Sequence, residues 1–391
     1  MGSATPSRVT QHGRLMATRA VKTNPLSPDV EQALAALELA REHTLALVEG
    51  LDDEQLERVH SPLMSPLVWD LAHIAAYEDL WLANRLGGRP LLRGDLARLY
   101  DAFETPRAVR GEIEALDPEQ ARAYMGEVRE RSCDALLDRG VDDGAICEMV
   151  VRHELQHTET MRQTMAIAGL LPAGEPPLAP MSGPDGWLEI PAGEFEMGSP
   201  PDGFAYDNER PRHPVTLDAF ALAMRPISNE SWMHFSEGGG YERREWWSDE
   251  GWAWKEEHDI THHPAVAAGH PRAPACHVSW FEADAFARAH DAHLPSEAQW
   301  ERAATWTQEH DGGLTHVGAV WEWTESRFEG YPGFRAFPYR EYSEVFFGEH
   351  YRVLRGGSWA THQRVAGARF RNWDLPQRRQ IFSGLRVARG M

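Results

Sequence analysis

Arg152-His153-Glu154-Leu155-Gln156-His157-Thr158-Glu159-Thr160-Met161 decides how the first half of this chain folds and what it can hold. The stretch reads as helix, and two histidines four residues apart stand one above the other on a helix face, so both imidazoles can aim at one ion. Leu155 and Met161 give the pair apolar neighbours. A third histidine, His73, falls in a second helical stretch, Trp69-Asp70-Leu71-Ala72-His73-Ile74-Ala75-Ala76-Tyr77-Glu78-Asp79-Leu80-Trp81. Three imidazoles on a first-row metal leave other coordination positions open for substrate and oxygen, and that is the site expected here. The competing reading is a chance i,i+4 pair on a solvated face, since the 391 residues include 19 histidines.

Outward from this stretch, residues 27–171 are rich in Ala, Leu, Glu and Arg with helical periodicity. Helices are predicted over Asp29–Gly50, Leu67–Arg85, Pro118–Arg139 and Asp143–Gly169. Short connections between four long helices predict an up-down bundle, with ligands projected into its core from facing helices. Leu171-Pro172-Ala173-Gly174-Glu175-Pro176-Pro177-Leu178-Ala179-Pro180 is too dense in proline for a helix, so residues 172–186 read as a linker. Over residues 187–391 aromatics, glycines and short strand-like runs alternate. Strands are predicted at Trp187–Ile190, Glu194–Met197 and His213–Leu217, and helices at Trp280–Ala289 and Ser296–Ala304. Much of the remainder reads as loop held by buried Trp and Tyr.

Composition excludes several classes. Lys+Arg 39 against Asp+Glu 60 gives a net charge of −21, which argues against nucleic acid or an anionic membrane as partner. No apolar run approaches the ~20 residues of a membrane span. Cys133, Cys147 and Cys276 are too scattered for a disulfide framework or a zinc ribbon, and a reducing cytoplasm is the expected location. The opening residues lack the pattern of a secretory signal. Residues 1–26 read as a disordered leader, with Met16 as an alternative start.

The first half, with His73 and the His153/His157 pair, resembles the DinB-like four-helix metal-binding domain. The second half contains Pro191-Ala192-Gly193-Glu194-Phe195-Glu196-Met197-Gly198-Ser199, Leu294-Pro295-Ser296-Glu297-Ala298-Gln299-Trp300-Glu301, Val320-Trp321-Glu322-Trp323-Thr324 and Leu354-Arg355-Gly356-Gly357-Ser358-Trp359. These resemble the formylglycine-generating-enzyme/C-type-lectin-like domain. Fused in this order, the two resemble the ergothioneine-biosynthesis sulfoxide synthases, a family with a selenoneine synthase branch. The likeness runs from Ser27 to the C-terminus. Its most specific pieces are Ser65-Pro66-Leu67-Val68-Trp69-Asp70-Leu71-Ala72-His73 and Phe370-Arg371-Asn372-Trp373-Asp374-Leu375-Pro376. The implied fold class is α+β, a DinB-like four-helix bundle followed by a formylglycine-generating-enzyme-like domain.

The resemblance implies a non-heme Fe(II) held by His73, His153 and His157, and an O2-dependent enzyme that joins sulfur to imidazole C2 of hercynine as a sulfoxide. It implies that Gln156 contacts the hercynine imidazole and that Trp373 lies near the trimethylammonium, where a cation over an indole is favourable. Asn372 and Asp374 would take the amino-acid end of the thiol donor. Arg107 and Arg110 would grip the carboxylates of γ-glutamylcysteine, which guanidinium forks suit. Tyr331 is the expected proton donor, with Tyr339 and Tyr342 close in sequence. Without the resemblance, each of these residues has an ordinary structural reading as a helix-surface, core or turn residue.

Two departures bear on the donor and the activity. The stretch between Thr305 and Val317 is shorter than usual for the family, which points toward the selenoneine branch, where a selenosugar replaces the thiol. Cys276 is the only cysteine of the second half, so the copper-binding pair of formylglycine-generating enzymes is missing. A non-catalytic ligand-binding module and a DinB-type thiol transferase are the competing classes. The three-histidine set separates the first from an oxygenase, and O2 consumption separates the second.

Overall fold

The computed structural model describes residues 28–142, 144–176, 178–263, 269–310 and 312–391; the leader expected over residues 1–26, with Met16, lies outside them. The N-terminal half is built on α1 (Pro28–Val48), α2 (Asp53–Glu57), α3 (Leu67–Glu78), α4 (Pro118–Arg139) and α5 (Ala145–Ala168). Starts and stops follow local chemistry. Asp52 with Gln55, and Asp117 with Gln120, close capping boxes at the N-termini of α2 and α4, and α5 stops at Gly169, whose φ of 70° suits glycine. α3 runs on without a break into a π-helical stretch, Asp79–Leu86. α1 packs on α5, and α3 packs on both α4 and α5.

The connections are not all short, as the sequence suggested. Residues 87–117 make a long excursion between α3 and α4 that contains only a 3₁₀ turn, Arg107–Val109. Gly87, Gly88, Pro90, Gly94, Pro106 and Gly111 keep this segment out of regular helix.

The bundle encloses an ionic quartet with one member from each long helix. Arg41 Nε donates to Glu154 and its Nη2 to Glu78, both at 2.8 Å, while Arg129 Nε donates to Glu78 at 2.8 Å and its Nη2 lies 3.4 Å from Glu154. The remaining guanidinium donors reach the carbonyls of Met125 and Leu37. Two positive and two negative charges therefore cancel in the core.

The second half holds β1 (Trp187–Ile190), β2 (Gly193–Met197), β3 (His213–Leu217), β4 (Phe220–Ala223), α6 (Asn229–Glu237), α7 (Asp249–Glu257), α8 (Trp280–Ala289), α9 (Glu297–Glu309), β5 (Trp321–Arg327), β6 (Arg352–Arg355), β7 (Asn372–Asp374), β8 (Ser383–Gly384) and β9 (Ala388–Gly390). They form sheets ordered β1-β4-β9, β2-β3 and β7-β6-β5-β8. Ser228, Ser248, Ser279 and Ser296 each cap the helix that follows. α6 and α7 are short, and the sequence reading did not find them.

α5 joins the halves by presenting three faces. Glu154 points into the ionic quartet. His153 and His157 face α3. Glu148, Arg152, Gln156 and Glu159 meet the second half: Arg364 pairs with Glu148, Arg152 lies 4.8 Å over the Phe204 ring, and Tyr206 Oη donates to Gln156 at 2.9 Å. The buried Glu159 carboxylate accepts from Trp321 Nε1 (2.7 Å), Ser358 Oγ (2.7 Å) and Thr361 Oγ1 (2.6 Å). The motif Leu354–Trp359 thus serves docking. Its Gly356 has φ 94°, and a Cβ there would meet Trp300 at 3.0 Å.

Candidate metal centre

The packing of α3 against α5 brings His73 to the histidine pair. His73 Nε2 lies 3.2 Å from His153 Nε2, and one nitrogen from each of the three rings falls within 4.8 Å of the others. The opposite edges of two rings are tied down, while His153 Nδ1 is buried without a hydrogen-bond partner. His73 Nδ1 is 2.6 Å from the Tyr100 carbonyl oxygen, which only accepts, so this nitrogen carries the proton. His157 Nδ1 stands 2.9 Å from Asp70 Oδ1, and a carboxylate again calls for an N–H. Both Nε2 lone pairs are therefore left free to face the space the three rings share. Burial, with the neighbouring His157, holds His73 well below the ordinary histidine range, and burial does the same to His153. Three converging imidazoles, two of them with the second nitrogen anchored, are the donor set of a divalent first-row metal, so the residues fit one.

Spelled out, His153-Glu154-Leu155-Gln156-His157 is the His-Glu-x-x-His of zinc proteases, where the glutamate is the general base. The structure sets this site apart. Glu154 is 1% exposed, turned away from the rings and held by Arg41 and Arg129, and His73 supplies a third imidazole.

A cavity of about 560 Å³ opens over the histidines. Tyr77 and Trp81 line it from α3 and its π-helical extension, the segment Tyr100–Glu104 forms one wall, and Tyr339, Tyr342 and Phe346 close it from the second half. Tyr77 lies flat on His153, with centroids 3.6 Å apart and planes at 9°. The Tyr339 hydroxyl is 3.3 Å from that of Tyr77, and its ring stacks on Trp81 at 5.2 Å. Tyr342 stacks on Tyr206 at 4.7 Å. Burial pushes Tyr339 up to about 12, and Tyr77 and Tyr342 well above the ordinary phenol range, so all three keep their protons at neutral pH. Arg93 is the only lysine or arginine among the described residues lining the cavity, and it forks onto Asp95.

The other expected residues are placed unequally. Gln156 reaches the aromatic wall through Tyr206. Trp373 stands one layer behind it, flat on Phe328 at 4.1 Å and against Phe346 and Tyr342. Asn372 caps the backbone N–H of Trp373. Asp374 accepts from Leu375 N–H at 2.7 Å and lies 3.4 Å from Arg378; burial raises its carboxyl while Arg378 and Arg107 pull it back. Two of the expected residues stand apart from the cavity. Tyr331 packs with Phe195 and Met197, under the Arg371 guanidinium at 4.2 Å, and does not line the cavity. Arg110 faces inward: its Nε, Nη1 and Nη2 donate to Thr105 O, Ser65 Oγ and Ala102 O, which leaves no free fork for a carboxylate. The shortened stretch Thr305–Val317 has no described residue in the cavity lining; Thr315 packs against Met224 and Arg386.

Sequence reasoning missed Trp69, Asp70, Tyr77 and Trp81 as parts of the site. The signal was present, since Trp69, His73, Tyr77 and Trp81 recur every four residues along one helix face.

Fold and site define a two-domain protein in which a helical bundle carries a three-histidine cluster and a formylglycine-generating-enzyme-like domain roofs it. The DinB superfamily matches residues 36–161, and the sulfatase-modifying factor enzyme 1-like domain matches residues 173–315 and 308–391. Hercynine oxygenase of Mycolicibacterium smegmatis is 38% identical, covering 90% of this chain and 97% of its own length. Hercynine oxygenase of Mycobacterium tuberculosis is also 38% identical, over 92% and 98%. Ergothioneine biosynthesis protein 1 of Schizosaccharomyces pombe is 21% identical, over 87% of this chain and 53% of its own length. The chain belongs to the hercynine oxygenase family of ergothioneine biosynthesis. No described helix is long and apolar enough to cross a membrane.

Proposed function

We propose that the protein is an Fe(II)-dependent, O2-consuming enzyme that bonds the chalcogen of a donor to imidazole C2 of hercynine. With γ-glutamylcysteine as donor, the S–H and C2–H bonds break, the C–S bond forms, one oxygen ends on sulfur as the sulfoxide and the other leaves as water. The observation that carries this reading is the convergence of His73, His153 and His157 at the floor of the cavity between the two halves. Iron held there would supply open positions at which the donor and O2 meet. The chain's own residues do the rest. Tyr77, Trp81 and Tyr339 offer aromatic faces to a trimethylammonium group, and Asp101, Glu104 and Glu341 add negative charge along the lining. The Tyr339 hydroxyl, paired with Tyr77, is the protonated phenol placed to give a proton to oxygen during coupling, the role first expected of Tyr331.

The donor admits a second reading, a selenosugar, and Arg110 favours it. Of the two arginines expected to clamp carboxylates, only Arg107 remains available, and the lining is predominantly acidic. A neutral sugar needs no such clamp. Arg107, close enough to Asp374 to act on its charge, favours γ-glutamylcysteine, whose amino-acid end carries both signs.

The test is anaerobic loading with Fe(II), then oxygen uptake with and without hercynine and each donor, with products identified by mass spectrometry. Uptake and coupled product that require hercynine and γ-glutamylcysteine support the first reading. Turnover with the selenosugar alone moves the protein to the second, and uptake indifferent to hercynine overturns both. In the same assay Tyr339→Phe is expected to keep iron and hercynine binding but to send both oxygens to the donor sulfur, giving its sulfinic acid. Tyr331→Phe is expected to change nothing. An unchanged product ratio in Tyr339→Phe clears that residue of the role.

A further inference from the structure

Arg110 is 5% exposed, and everything it touches leads back to the histidines. Its guanidinium carbon sits 3.5 Å from the Trp69 ring centroid, and that indole is stacked on His73 at 4.8 Å with planes 13° apart. Its Nε and Nη2 hold the carbonyls of Thr105 and Ala102, in the same segment whose Tyr100 carbonyl takes the His73 Nδ1 proton and whose residues 100–104 wall the cavity. Nη1 bonds Ser65 Oγ at 2.7 Å, just before α3 begins, and so ties that wall to the helix bearing His73. Asp70, fully buried, orients His157 through Oδ1 while its Oδ2 has no hydrogen-bond partner. Burial pulls Arg110 down to about 10, so the group stays charged over the Trp69 indole at neutral pH.

We propose that Arg110 is a positioning residue of the three-histidine site, setting the plane of His73 through Trp69 and through the segment whose Tyr100 carbonyl holds His73 Nδ1. The inference rests on the metal reading above and departs from the donor-clamp role expected from the sequence. Partners that hold metal ligands fix their tautomer and orientation, and losing one weakens metal binding by roughly 10–100-fold; Arg110 fixes two groups that touch His73, the Trp69 ring and the Tyr100 segment.

The test titrates Co(II), whose visible bands report ligand geometry, into the metal-free wild type, Arg110→Met and Arg110→Lys, with thermal melting of each metal-free form. Arg110→Met, which keeps the apolar stem, is expected to bind Co(II) about 10–100-fold more weakly and with shifted bands. Arg110→Lys, which keeps the charge over Trp69 but not the fork, is expected to fall between it and the wild type. Should the Met variant not fold, the Lys variant decides by the same two readings. Wild-type affinity and spectrum in the folded variants, whether their melting temperatures or KM for the donor move or not, overturn the proposal and leave the metal site standing. A wild type that takes up no Co(II) overturns the metal reading itself, and this proposal with it.

Discussion

His153→Ala is expected to leave a folded chain that cannot retain iron and has no oxygenase activity. Removing one of three ligands is expected to weaken binding by more than the roughly 10–100-fold that an outer-shell partner is worth. The effect is expected to be local. His153 is only partly buried, and its ring rests on Tyr77 outside the ionic quartet, so deleting it leaves the helix contacts of α5 in place. His157→Ala is expected to behave alike, with Asp70 losing its partner as well. Metal analysis after anaerobic loading and desalting, with circular dichroism to confirm the fold, is the measurement. Full iron occupancy in either variant sinks the assignment.

One residue further on, Glu154→Ala is expected to give the largest loss of stability in the bundle. The substitution leaves Arg41 and Arg129 facing each other across a core where Glu78 alone remains to balance them. Breaking a buried ion pair by removing one partner costs about 3–5 kcal/mol. For a domain of this size that lowers the melting temperature by on the order of 10 °C, readable by calorimetry. A drop of less than about 2 °C shows that the quartet contributes little. The quartet also makes stability depend on pH. Burial pushes the Glu78 carboxyl up, but Arg129 and Arg41 outweigh it and hold it below the ordinary carboxylate range. A depressed folded-state value means that this contribution is present at neutral pH and is lost as pH falls through that value.

The two substitutions are neighbours on α5 yet have separate readouts, because adjacent helix positions lie about 100° apart on different faces. A helix that serves the histidine face, the bundle core and the second half at once has no spare side. This explains why Glu148, Arg152, Gln156 and Glu159, polar at a spacing that reads as a solvated face, are instead consumed by docking.

Legibility followed the range of the interaction. The long helices were readable because apolar periodicity and capping residues act within a few positions. α6 and α7 were not, since nine residues rich in tryptophan carry too little periodicity to stand out from loop. The position of Tyr331 was not legible, because sequence proximity to Tyr339 and Tyr342 says nothing about which phenol turns inward. Phe195, Met197 and Arg371, from distant segments, claim Tyr331, while Tyr77 and Trp81 claim Tyr339. The surroundings of Arg110 were hidden for a related reason. A guanidinium suits a carboxylate and an indole equally well, and the sequence does not show that Trp69 is within reach.

By itself the sequence determined that His153 and His157 share a helix face, that Trp69, His73, Tyr77 and Trp81 form a stripe on another, and that proline separates a helical half from a strand-bearing one. These are consequences of backbone periodicity, which any segment carries alone. Only the tertiary structure decided that His73, 80 residues from His153, completes the cluster, that Tyr339 and not Tyr331 lines the cavity over it, and that Arg110 stacks on Trp69 behind His73. Such convergences depend on how α3 seats against α5 and how the second half closes over both. That packing is set by the summed burial of many side chains, and no local pattern encodes it.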